Sequence, residues 1–132
     1  MHRNKFYYDD TLSMLVKDIV FTLRDFFPNV DVDKVKVVVC RDCRSKAVAR
    51  IYMLPSVLRF ALGLEPIYVI EVIEGNFFAL SESNRVKVLL HELLHIPKSF
   101  SGGLRPHGKY VNNLTVEKLY HEYIKRKGAE LT

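Results

Sequence analysis

His91 and His95 stand four residues apart with Glu92 between them, in the run His91-Glu92-Leu93-Leu94-His95. On a helix of 3.6 residues per turn, positions four apart lie about 40° from each other, so both imidazoles can meet one ion. Glu92 lies about 100° round from His91, within reach of a water on that ion without being a ligand itself. Zinc lowers the pKa of such a water from about 15.7 toward roughly 7 and polarises a carbonyl. Glu92 then serves as general base, taking the water proton and passing it to a leaving amine. The chemistry expected is hydrolysis of a peptide bond, in a peptide or an unfolded protein.

A catalytic zinc takes three protein ligands and keeps a fourth position for solvent, so one helix cannot complete the site. His107, in Arg105-Pro106-His107-Gly108, is the candidate third ligand. Pro106 and Gly108 fix an unusual local backbone, and Gly102-Gly103 let the chain reverse toward the helix. Glu117 is the alternative third ligand, with Glu122 beside it, because a carboxylate on a following helix can also close such a site. His121 is a further imidazole, although among Tyr120, Glu122 and Tyr123 it reads more simply as a packing or solvent-facing residue. Tyr110 and Arg105 are candidate stabilisers of the oxyanion formed as a carbonyl is attacked. His2 reads as a surface residue.

Two cysteines, Cys40 and Cys43, form a single Cys-Arg-Asp-Cys pair with no second pair elsewhere to complete a four-cysteine zinc site. They read as incidental thiols, with a redox pair or a site shared between subunits as the alternatives; a structural disulfide is not expected in a reducing cytosol. The 20 Lys and Arg against 15 Asp and Glu leave a formal charge of +5, concentrated around Arg41, Arg44, Lys46, Arg50 and Arg59. Such a basic stretch attracts nucleic acid or acidic substrates electrostatically, but so mild an excess also serves solubility alone. No apolar run is long enough to cross a bilayer and no charged-then-apolar signal pattern opens the chain, so a cytosolic protein is expected.

The elements that must position these residues follow from periodicity. At 132 residues and 48% hydrophobic content, the chain is expected to fold as one ordered domain. Leu12, Leu15, Val16, Ile19, Val20, Leu23 and Phe26 keep the three-and-four spacing of an amphipathic helix over 10–26, capped by Asp9 or Asp10 and ended by Pro28. Residues 35–40 and 47–54 read as strands joined as a hairpin, and 67–73 as a third strand ended by Gly75-Asn76. A helical turn over 56–63 lies between. Ser81 or Ser83 caps the His91 helix, which runs to Ile96 before Pro97. Residues 98–112 form a loop, and 114–127 a last helix with Leu114, Leu119 and Tyr123 inward and Lys125-Arg126-Lys127 at its dipole-matched end.

The run HELLHIP followed by SGGLRPHGKY, residues 91–110, resembles the small predicted metallopeptidases of archaea and phages, and more distantly the SprT-like zinc proteases. The resemblance implies an α+β, minimal zincin-like domain: N-terminal helix, small three-stranded sheet, HExxH helix, ligand loop and C-terminal helix. It further implies zinc chemistry with His91, His95 and His107 as ligands and Glu92 as base, and an edge strand, here 67–74, that receives substrate as an added strand. The spacing of His95 and His107 is too long for the HExxHxxGxxH pattern of metzincins. Two other readings stand beside peptide hydrolysis. One is a non-catalytic nucleic-acid- or protein-binding module with a structural metal; the other is the same site deacylating an amide on a small molecule.

Overall fold

In the computed structural model, residues 5–130 are described; His2 lies outside them. Strand β1 (Phe6–Tyr8) leads directly into helix α1 (Asp10–Thr22). The side chain of Asp9 accepts the Leu12 N–H at 3.0 Å, so Asp9 is the cap. Leu12, Val16, Ile19 and Val20 form the buried stripe. The helix ends four residues earlier than its apolar spacing suggests. Pro28 forces Phe27 out of helical backbone, and the chain leaves through turns in which Phe26 N–H bonds Leu23 O at 2.8 Å. Leu23 and Phe27 are buried by this exit, whereas Phe26 is left exposed.

Strand β2 (Val35–Cys40) is followed by β3 (Ala49–Met53), helix α2 (Ser56–Leu62), β4 (Tyr68–Ile73) and the short helix α3 (Glu74–Phe78). The sheet has four strands in the order β1-β2-β4-β3, one more than expected, because the three-residue β1 pairs antiparallel with β2. The expected hairpin between β2 and β3 does not form. β4 inserts between them, parallel to β2 (Val37 opposite Ile70) and antiparallel to β3 (Ile51 opposite Ile70). The reason is burial. Five of the six β4 residues are buried, which only a central strand can satisfy, while β3 carries Arg50 and Tyr52 in exposed positions and no fully buried residue. The strand expected at the edge is therefore central, and β3 is an edge, with β1 at the other.

Helix α4 (Glu82–Leu94) is capped by Ser81, whose hydroxyl accepts the Asn84 N–H, and it buries Leu89, Leu90 and Leu93 completely. Its last turn tightens, with His95 N–H on Glu92 O and Ile96 N–H on Leu93 O, before Pro97. Helix α5 (Asn113–Glu130) starts at Asn112, whose side-chain amide oxygen accepts the Thr115 N–H at 2.8 Å. Val116, Leu119 and Tyr123 face inward, whereas Leu114 is 67% exposed. The basic end of α5 makes specific pairs rather than a general dipole match: Lys127 and the Tyr123 hydroxyl meet Asp18, and Arg126 clasps Asp25 and the Thr22 carbonyl of α1. Among the described residues no helix is long and apolar enough to cross a membrane.

Tyr68, fully buried on β4, pins the loop after α4: its hydroxyl donates to Gly103 O at 2.9 Å and accepts the Gly102 N–H at 2.8 Å. Gly102 has φ +96, and a Cβ there would lie 2.8 Å from the Arg59 guanidinium, so glycine is required at this reversal. Tyr68→Phe leaves the buried Gly102 N–H and the Gly103 carbonyl without that hydroxyl partner. The expected loss is about 2 kcal/mol of unfolding free energy, read as a lower midpoint in urea with an unchanged slope.

Candidate metal centre

On α4, Asn84, Lys87, Val88, His91 and Glu92 follow a helical stripe and turn the same way, into a cleft of about 510 Å³. The opposite wall comes from Val48 and Ala49 at the start of β3 and from Asn113, Val116 and Glu117 of α5. The leucines of α4 point into the core cluster, so the helix holds its polar stripe at a set angle to the cleft.

Three imidazoles meet at the end of this stripe. The ring centroids of His91, His95 and His107 are 4.8 to 5.2 Å apart, and one nitrogen of each lies within 4.8 Å of the others. His91 Nε2 and His107 Nε2 are 3.0 Å apart. Two nitrogens bound tetrahedrally to one zinc at about 2.1 Å would be separated by about 3.4 Å, so the pair needs only a small opening to admit an ion. His95 donates its Nδ1–H to Arg105 O at 2.5 Å, which fixes its tautomer and leaves Nε2 with the free lone pair. Burial first, and then the neighbouring His95 and His107, hold His91 below the usual histidine range and hence in the neutral form a metal requires.

His107 reaches this position because its loop is anchored throughout. The Tyr68 clamp holds Gly102 and Gly103, Arg105 N–H bonds His95 O at 2.6 Å, and Gly108 N–H bonds Val111 O at 3.0 Å. Asn112 adds a bond from its amide to Gly108 O while capping α5.

Glu92, 7% exposed, faces the cleft beside the imidazoles, and its Oε2 is buried without a hydrogen-bond partner among the described residues. Burial pushes its carboxyl up to about 7. A buried carboxylate oxygen with nothing to accept from, next to three converging imidazoles, fits a site completed by a cation and solvent.

The remaining sequence candidates lie elsewhere. Arg105 is not aimed into the cleft: Nε and a terminal nitrogen bond Leu94 O at 3.0 and 2.8 Å, satisfying the open end of α4, and its guanidinium stacks on Tyr110. Tyr110 lines a separate pocket with Phe26, Leu94 and Lys98. Arg105 is thus engaged by the Leu94 carbonyl at the end of α4, with Tyr110 against it. Glu117 lines the cleft but is paired with Lys87 at 3.0 Å and with the exposed His121 at 3.7 Å, outside the imidazole cluster. Glu122 pairs with Arg126. Asn84 and Lys87 also line the cleft, and their only signal in the sequence is their place seven and four residues before His91, on the same helical stripe.

The fold is that of a mixed α+β, minimal zincin-like domain, with a four-stranded sheet beside the helix that bears the histidines. The chain belongs to the family described as putative phage metallopeptidase, whose family model matches residues 4–127. Membership implies a metal ion and protease-type chemistry. No curated protein and no solved structure matches the chain.

Glu92 ties stability to pH in the metal-free protein. Folding raises its proton affinity, so its full stability is present below the ordinary value of 4.5 and is lost as pH rises through about 7. That gap corresponds to on the order of 3 kcal/mol. Metal-free Glu92→Gln is expected to unfold with about 3 kcal/mol more free energy than the parent at pH 8, and with little difference at pH 4, in urea titrations at the two pH values.

Proposed function

We propose that this chain is a zinc-dependent peptide hydrolase in which His91, His95 and His107 hold the metal and Glu92 is the general base. The observation that carries the reading is the convergence of three imidazoles beside a buried carboxylate with an unpartnered oxygen. Three imidazole nitrogen donors, with no fourth protein ligand in the cluster among the described residues, suit zinc in its catalytic rather than its structural arrangement. When bound, zinc supplies Lewis acidity toward a scissile carbonyl and toward water.

Glu92 does the proton work. Its Oε2 accepts a hydrogen bond from the attacking water, removes a proton from it, and delivers that proton to the departing amine nitrogen. A carboxyl near neutrality is matched to both steps, since it takes and releases a proton at small cost.

The substrate is an extended polypeptide laid along β3. Val48 O accepts the Ile73 N–H and Leu54 N–H bonds Ile67 O, so the backbones of Val48, Arg50, Tyr52 and Leu54 turn toward β4. Those of Ala49, Ile51 and Met53 turn to the free edge, where an added strand finds its partners. The rival reading, a nucleic-acid- or protein-binding module, draws on the basic stretch. Part of that charge is engaged within the fold, with Arg41 stacked on Tyr7 and Arg50 bonded to Ser45.

After zinc reconstitution, metal analysis is expected to give one ion per chain. Glu92→Gln should retain it while kcat on an unfolded polypeptide falls by about 100-fold or more. His107→Ala should weaken zinc beyond the roughly 10- to 100-fold typical of losing a supporting hydrogen bond. Cleavage by Glu92→Gln at the parental rate, or no zinc uptake at all, would sink the assignment.

The edge strand has its own test. Proline at position 49 removes only an outward N–H, which edge strands tolerate, so Ala49→Pro is expected to keep Tm within a few degrees while KM rises about tenfold.

A further inference from the structure

The histidine site leaves unused a second cluster on the other face of the sheet. Val39 and the pair Ile70 and Val72 point into the core, so by alternation Cys40 and Glu71 point to the opposite face. There the chain turns back on itself. Asp42 takes a left-handed backbone, φ +54, which brings Cys43 over Cys40, with Cα atoms 5.8 Å apart and the two sulfurs joined as a disulfide. The expectation of two incidental thiols is thus replaced by a built pair. Each sulfur and a carboxylate oxygen of Glu71 lie within 4.8 Å of one another. Glu71 is 7% exposed, a high cost for a carboxylate, and it is held in place by the Tyr52 hydroxyl at 3.0 Å and by Arg50 at 4.0 Å.

The two cysteines are unequal. Cys40 is fully buried, whereas Cys43 is partly exposed, so Cys43 is the sulfur that a small disulfide can reach. We propose that Cys40, Cys43 and Glu71 form a reversible dithiol–disulfide site that exchanges with low-molecular-weight disulfides. The Cys43 thiolate attacks one sulfur of the small disulfide, forming a mixed disulfide and expelling one thiolate, which takes up the proton that Cys43 released. Cys40 then attacks the Cys43 sulfur while its proton passes to the Glu71 carboxylate. The second small thiolate leaves and recovers that proton. Two protein thiols are oxidised to one disulfide, and one small disulfide is reduced to two thiols.

The position of the ring gives the couple a consequence. Beyond Cys43 the chain is held by Asn76, whose amide donates to Ser45 O and Ala47 O at 2.7 Å each, and within five residues of Cys43 it becomes the Val48-Ala49 wall of the cleft. Oxidation tethers this segment at its other end as well.

The test uses the full chain equilibrated in glutathione and glutathione disulfide at graded ratios, quenched by alkylation and read by intact mass, so it does not depend on any peptidase activity. A single two-electron transition is expected, with amides 45–49 exchanging about tenfold more slowly in the oxidised form. Cys40→Ser should trap glutathione on Cys43, while Cys43→Ser should carry at least about tenfold less adduct on the buried Cys40. Glu71→Gln should let the mixed disulfide accumulate by slowing its resolution about 100-fold, whereas simple loosening of the turn would not block resolution in this way. Failure of Cys40→Ser to form the adduct, or thiols that stay reduced at every ratio, would overturn the proposal. So would a zinc ion taken up by the reduced protein, retained in His91→Ala/His95→Ala and lost in Cys40→Ser, which would make the cluster a metal site.

Discussion

One helix presents two imidazoles on a face, and a third must be brought in from outside; everything around the candidate metal centre follows from that constraint. The loop that carries His107 has little core of its own, so its position is set by hydrogen bonds. Tyr68 clamps Gly102 and Gly103, the Arg105 backbone and side chain close on the end of α4, and Asn112 joins Gly108 to the start of α5. These contacts also satisfy carbonyls that the tightened last turn of α4 would otherwise leave open. The same bonds that end the helix therefore deliver the third ring, and His95 gains its tautomer from Arg105 O in the same closure.

Glu92 shows the opposite economy. Its neighbours Leu90, Leu93 and Leu94 are buried to fix the helix on the core, and the carboxylate is carried inward with them, its Oε2 without a hydrogen-bond partner among the described residues. The resulting rise in its proton affinity opposes folding at neutral pH and above, and it is also the shift that the proposed proton transfer calls for. The leucine-rich core of α4 offsets that cost.

The sheet serves both of its faces. β4 takes the centre because it is buried on both sides, which pushes β3 to the edge and brings Val48 and Ala49 opposite His91 and Glu92. On the other face, the long connection needed between the parallel β2 and β4 runs through Cys40 to Ser45 and is drawn down over Glu71. A single choice of strand order thus creates the cleft wall and the cysteine cluster together, linked through a few residues of chain.

Local features were legible in the residues. The spacing of His91 and His95, the Ser81 cap, the β-branched run over 35–40 and the reversal at Gly102-Gly103 each depend on interactions within a few positions, and each lies where its pattern indicates. Strand order, the short β1, the edge position of β3 and the commitment of Arg105 to Leu94 were not legible. They depend on pairings between residues far apart in the chain, decided by which segments can be buried on both faces. An apolar run such as 67–73 declares that it will be covered, but only its competition with every other strand for the centre of the sheet decides what covers it.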